Sequence, residues 1–234
     1  MVYVTGDMHG DYSCFKRRAL RRLKKGDTLI VCGDFGFLFD GSKKEEKWLK
    51  KIGRQRYNTV FVEGVHDNLN LIEKYPAEEW NGGMTHIISG RLRHLCRGNI
   101  FSVDGLTLFV FGGGEPPTAN DVPWGDRLLP SQEDIDSAQK RLRAAGSKAD
   151  YIITHCCGHK LKSLLTMVES NANVMDDFFD EIRKNVSYKG WMFAGYHIDR
   201  HIPPFDVALF EEVIKLGVPV EMRNKNTTKR FRVF

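Results

Sequence analysis

Over the first third of the chain, short apolar runs alternate with stretches in which apolar residues recur every three or four positions. Residues 2–5, 28–32 and 59–62 are apolar runs bounded by glycine, acidic or amide residues, the pattern of strands buried on both faces. Between them, residues 12–25 place Phe15, Ala19, Leu20 and Leu23 on one helical stripe, and residues 43–53 do the same with Trp48, Leu49 and Ile52. The repeated order of strand, acidic loop and helix predicts an α/β fold with largely parallel strands. In such folds ligands gather beyond the carboxyl ends of the strands.

From residue 86 to 112 the periodicity changes to short strands at 86–89, 92–96, 99–103 and 106–111, the last two joined by the Asp104-Gly105 turn. A second, more antiparallel sheet is expected there. Residues 113–130, rich in Gly and Pro, read as a long loop, and a helix over 131–145 opens with a Ser131/Asp134 capping box. Strands at 151–154, 191–194, 207–210 and 213–215 and a helix over 173–184 complete the expected elements. The expected organisation is one domain over 1–222, followed by a polar, basic tail over 223–234.

The polar residues that punctuate these strands carry the chemistry. Gly6-Asp7-Met8-His9-Gly10, Gly33-Asp34 and Gly64-Val65-His66-Asp67 follow the first three strands; Thr154-His155 and Ala194-Gly195-Tyr196-His197 end two later ones. Carboxylate and imidazole suit Mn, Fe or Zn, and placement at successive strand ends lets them converge on one ion. Each piece alone is a weak signal; five in order are not.

In order and spacing these motifs resemble the calcineurin-like metallophosphoesterase superfamily, whose pattern is Asp-x-His, Gly-Asp, Gly-Asn-His-Asp/Glu, a lone His, and Gly-His-x-His. The finer resemblance of residues 191–200 is to single-domain members from bacteria and phages. The resemblance implies a four-layer α-β-β-α sandwich of two mixed sheets, a two-metal centre, and hydrolysis of a phosphomonoester or phosphodiester by a metal-activated water. It implies that Asp7, His9, Asp34 and His197 hold the first metal, with Asp34 bridging, that His155 serves the second, and that His66 is the acid or electrostatic catalyst. The implied ion is divalent, manganese first, with Fe, Zn or Ni as alternatives.

Two positions depart from the pattern. Val65 stands where the family carries a ligand Asn, and valine cannot coordinate. If Ala194 matches the family's Gly, then Gly195 replaces the first His of the last motif; if Gly195 matches it, Tyr196 does so and His197 falls between the ligand positions. Either register impairs the second metal shell, with His159, Asp199 and His201 as candidates to complete it. An alternative therefore stays open: a protein of this fold that binds a phosphorylated ligand or partner with little turnover.

Composition narrows the setting. The net charge of +5 permits anionic partners without demanding nucleic acid. The basic run from Lys16 to Lys25 reads first as the solvated face of an amphipathic helix, and the Arg91, Arg93, His94, Arg97 cluster as half-buried strand or turn. The expected partner is a phosphorylated small molecule, protein or nucleotide, with no membrane. Five cysteines without a repeating spacing fit reduced thiols, and Met1 leads straight into a strand, so a cytoplasmic location is expected. Gly112-Gly113-Gly114 lacks the Lys-Ser/Thr of a P-loop; in the following loop Trp124 and Arg127 are candidate substrate contacts.

Overall fold

A computed structural model describes residues 1–115, 122–168 and 171–218. The expected tail over 223–234 lies outside the described residues. The chain opens with β1 (Val2–Thr5), β2 (Thr28–Val31), α1 (Lys43–Gly53), β3 (Asn58–Phe61) and α2 (Leu69–Ile72). Then come β4 (Ala77–Trp80), β5 (Gly83–Ser89), β6 (Leu92–Leu95), β7 (Asn99–Val103), β8 (Leu106–Phe111) and α3 (Gln132–Ala144). The rest is β9 (Tyr151–Thr154), α4 (His159–Thr166), α5 (Val174–Asn185), β10 (Gly190–Phe193), β11 (Arg200–Ile202), β12 (Asp206–Ala208) and β13 (Val213–Lys215).

Among the described residues the strands form a seven-stranded sheet, β13-β1-β2-β3-β6-β5-β4, and a six-stranded one, β11-β12-β10-β9-β8-β7. Side-chain alternation builds the layers. Val2, Val4, Ile30, Val60, Val110, Ile153 and Met192 pack into a core between the sheets. Their neighbours Leu29, Val31 and Phe61 face outward with Leu49 and Ile52 of α1, and Phe109, Ile152, Trp191 and Phe193 face α3 and α5. Both faces of each central strand are thus buried, which is why those strands read as continuous apolar runs. The result is the expected four-layer α-β-β-α sandwich of mixed sheets.

Three expectations are corrected. Residues 12–25 are not one helix but two 3-10 turns, Tyr12–Lys16 and Leu20–Arg22, each ended by an extended residue, Arg17 and Leu23. A continuous helix would set Arg17 over Arg21 and Arg18 over Arg22, like charges one turn apart. Phe15, Leu20 and Leu23 are buried as expected, but Ala19 is exposed. The strands expected at 86–89 and 92–96 belong to the first sheet, because β6 pairs in parallel with β3 and carries β5 with it. The second sheet is therefore largely parallel through β8, β9, β10 and β12. Strand β4 escapes the pattern altogether, since it is an edge strand with exposed glutamates.

Candidate metal centre

Parallel strands from both sheets end at one rim of the sandwich, and the acid and histidine motifs leave from those ends. Asp7, His9 and His197 offer ligand atoms all within 4.8 Å of one another, as do His9, Asp34 and His66, and Asp7, Asp34 and His155. The three groups share members and so form one constellation. His197 Nε2 lies 2.9 Å from His9 Nε2 and 3.4 Å from Asp7 Oδ2. His9 Nδ1 is 3.8 Å from Asp34 Oδ2, and His155 Nε2 is 3.7 Å from Asp34 Oδ1. His9, Asp34 and His197 all sit in the left-handed backbone region, at φ 45°, 42° and 52°. Non-glycine residues hold that conformation at a cost, and such strain clusters at functional sites.

Burial sets the electrostatics. Asp7 is buried, which pushes its carboxyl up to about 7; the His155 charge opposes this and the Asp34 charge reinforces it. Burial pushes Asp34 upward too, but the His155 charge and hydrogen bonds from the His66 ring and backbone outweigh it and hold Asp34 well below the usual carboxylate range. Two buried carboxylates that resist sharing ionised charge, faced by imidazoles, are a donor set that a divalent cation satisfies. The residues present therefore fit the implied metal.

The histidines are oriented by their other nitrogens. His155 Nδ1 lies 3.1 Å from the Cys32 carbonyl, an acceptor only, so Nδ1 carries the proton and Nε2 faces Asp34. Burial lowers the His155 pKa, and the Asp34 and Asp7 charges more than reverse it. His66 Nδ1 is 2.7 Å from Asp34 Oδ2, a hydrogen bond that raises the His66 pKa and leaves Nε2 available to the cleft.

The two departures from the family pattern flank a cleft of about 410 Å³ that Asp34, His66, His155 and His197 also line. Gly195 is held at φ +79°, and its N–H donates to Asp7 Oδ2 at 3.2 Å. A Cβ there would stand 3.1 Å from His155 Cε1. Tyr196 also lines the cleft, but its hydroxyl is engaged, accepting from the Cys157 thiol at 3.3 Å, and its ring packs edge-on to Phe193. Gly195 thus adjoins His155 while His197 joins Asp7 and His9, the arrangement of the register that aligns Ala194 with the family's Gly. Asp199 accepts from the N–H groups of Phe210, Glu211 and Glu212, and His201 pairs with Glu212 at 3.0 Å, so both are engaged elsewhere.

Neither loop residue singled out from sequence is a free substrate contact. Trp124 is buried, its indole N–H donating to the Val65 carbonyl at 3.4 Å, and Arg127 is tied to Glu73 at 2.5 Å and Asn70 at 3.0 Å. Two contributors emerge only in three dimensions. Lys162 of α4 reaches the cleft, 2.9 Å from Glu115 and 3.6 Å from Asp176. Asp67, fully buried, accepts from the N–H groups of Gly64, Phe35 and Gly36 and so clamps the loops that carry His66 and Asp34 together.

A family model described as calcineurin-like phosphoesterase matches residues 1–210. No curated protein matches the chain significantly. Among solved structures, a protein of unknown function from Aquifex aeolicus is 18% identical, covering 79% of this chain and 98% of its own, with a TM-score of 0.34, too loose a likeness to bear on function.

Proposed function

The chain belongs to the calcineurin-like phosphoesterase family, and we propose that it hydrolyses a phosphomonoester or phosphodiester with the aid of a divalent metal, manganese first. The observation that carries this reading is the convergence of Asp7, His9, Asp34, His155 and His197 on one space, with His66 hydrogen-bonded to Asp34 at its edge. A divalent ion held there supplies Lewis acidity toward phosphoryl oxygen and makes a neighbouring water more acidic. Asp7, His9, Asp34 and His197 are the residues we assign to the better-formed position. His155 and Asp34 are those left for a second, weaker one, where Val65 and Gly195 contribute no side-chain donor.

The protein's own groups do the rest. His66 keeps its Nδ1 proton on Asp34, and its raised pKa favours a proton on Nε2 as well, which suits it to protonate the leaving oxygen. Lys162 lines the same cleft, where its ammonium, paired with Glu115 and Asp176, is the cation an ester's phosphate would share with them. The cleft's volume suits a phosphorylated small molecule, a nucleotide or a phosphorylated side chain.

The test is hydrolysis of generic aryl phosphate mono- and diesters by the full chain, stripped of metal and reloaded in turn with Mn, Fe, Zn, Ni and Mg. Turnover should require an ion, and His66→Ala should lower kcat by about 10²- to 10⁴-fold while leaving metal content intact. Ion and ester bound with no turnover under any metal would overturn the reading and leave a binding role.

A further inference from the structure

A second cluster of metal-type ligands, sharing no residue with the rim constellation, lies on the β5-β6 hairpin. His86 and His94 are directly opposed in the antiparallel register, and Cys96 lies two residues beyond His94, hence on the same face. Their ligand atoms all lie within 4.8 Å of one another. The two rings stack with centroids 5.7 Å apart.

The hydrogen bonds around these rings leave the right atoms free. His86 Nδ1 lies 3.0 Å from the Tyr75 carbonyl, which can only accept, so the neutral ring keeps its lone pair on Nε2. His94 Nε2 lies 2.7 Å from Glu63 Oε2, and the carboxylate takes that proton's hydrogen bond, leaving the lone pair on Nδ1. His94 is 3% exposed, yet its Nδ1 is buried with no hydrogen-bond partner. A buried polar atom normally finds one, and an orphan beside a thiol and a second imidazole points to a ligand.

A carboxylate bonded to the far nitrogen of a histidine is also the usual support for a metal-bound ring. Arg97 in turn fixes Glu63, its Nε 2.7 Å from Glu63 Oε1. The cluster opens on a cleft of about 590 Å³ that His86, His94 and Cys96 line together with Arg97.

We propose that His86, His94 and Cys96 form a second metal site, independent of the rim constellation, that takes a borderline-soft divalent ion, zinc first, with its fourth position open to the cleft beside Arg97. Two imidazoles and one thiolate select such an ion over the harder Mn or Mg. Tetrahedral zinc, with Zn–N of about 2.0 Å and Zn–S of about 2.3 Å, needs donor atoms roughly 3.3 to 3.6 Å apart. The donor atoms lie within 4.8 Å of one another, and half-buried His86 and Cys96 are the residues that would close to that spacing. Cys96 gives up its thiol proton to solvent as the sulfur–metal bond forms.

Cobalt(II) tests this in the full-length, metal-free protein, because a thiolate ligand adds a sulfur-to-cobalt charge-transfer absorption that the sulfur-free rim ligands cannot produce. The band should reach its limit at one equivalent of added cobalt in Asp34→Asn, where the rim position is disabled, vanish when zinc is added, disappear in Cys96→Ser, and persist in Cys156→Ser. His86→Ala, at a half-buried position, should weaken zinc affinity by at least about tenfold with the far-ultraviolet circular dichroism unchanged. No band in the unmodified protein, or a band that survives Cys96→Ser, would overturn the proposal.

Discussion

At the scale of single residues, Gly195 and Val65 are not equivalent departures. Gly195 occupies a positive φ and has His155 where its side chain would go, so adding one is resisted by backbone and neighbour alike. Gly195→Ala should cost roughly 1–3 kcal/mol in denaturant unfolding; an unchanged midpoint would mean that the Asp7 and His155 contacts are not held as described. Val65 lines the cleft without that constraint. Val65→Asn alone should therefore strengthen binding of a second ion, measured by calorimetric titration, and no gain would show that this position does not face the second metal. Lys162→Ala should raise KM severalfold and change kcat less, as removal of a binding charge does. Asp7, His9, Asp34, His66, His155 and His197 were legible in the sequence because each ends a strand that announces itself by apolar pattern. Lys162 and the clamp role of Asp67 were not, because their partners at Glu115, Asp176, Phe35 and Gly36 are brought near only by the fold.

At the scale of elements, the β6 strand and the turn after it supply His94 and Arg97 to a buried ion group centred on Glu63. Glu63, two residues after β3, is fully buried; burial pushes its carboxyl up, but the Arg97 charge and the His94 hydrogen bond prevail and hold it at about 2. With the folded value below the ordinary 4.5, Glu63 contributes stability above pH 4.5 that drains away as pH falls toward 2. Unfolding followed against pH should show this acid limb flattened in Glu63→Gln. Arg97→Met, which strands the buried carboxylate, should cost roughly 3–5 kcal/mol at neutral pH. Alternation of apolar residues revealed β5 and β6 as strands, but not their sheet. That choice depends on β6 pairing with β3, a contact between residues about thirty positions apart, as Thr59 with Leu92. Amphipathic spacing likewise misled over residues 12–25, where clustered like charges and local turn capping by Asp11 defeat the helix while the same apolar side chains still reach the core.

At the scale of the whole molecule, two sheets are bound back to back by one core and contribute opposite halves of the rim: Asp7, His9, Asp34 and His66 come from the first, His155 and His197 from the second. An ion held across that seam ties the sheets together, so its removal should destabilise the fold and not only the activity. At an ion concentration of about 100 times Kd, binding adds about 2.7 kcal/mol, and chelation should lower the melting temperature accordingly. Among the described residues no helix is long and apolar enough to cross a membrane. On the proposed assignment, Asp7, His9, Asp34 and His197 form one strong metal position with a weak neighbour. Electron paramagnetic resonance of the metal-free protein loaded with up to one equivalent of Mn(II) tests it most directly. The expected signal is that of isolated, magnetically uncoupled Mn(II), lost in Asp34→Asn; a spin-coupled two-manganese signal from the first additions, or no bound manganese at all, would contradict that assignment.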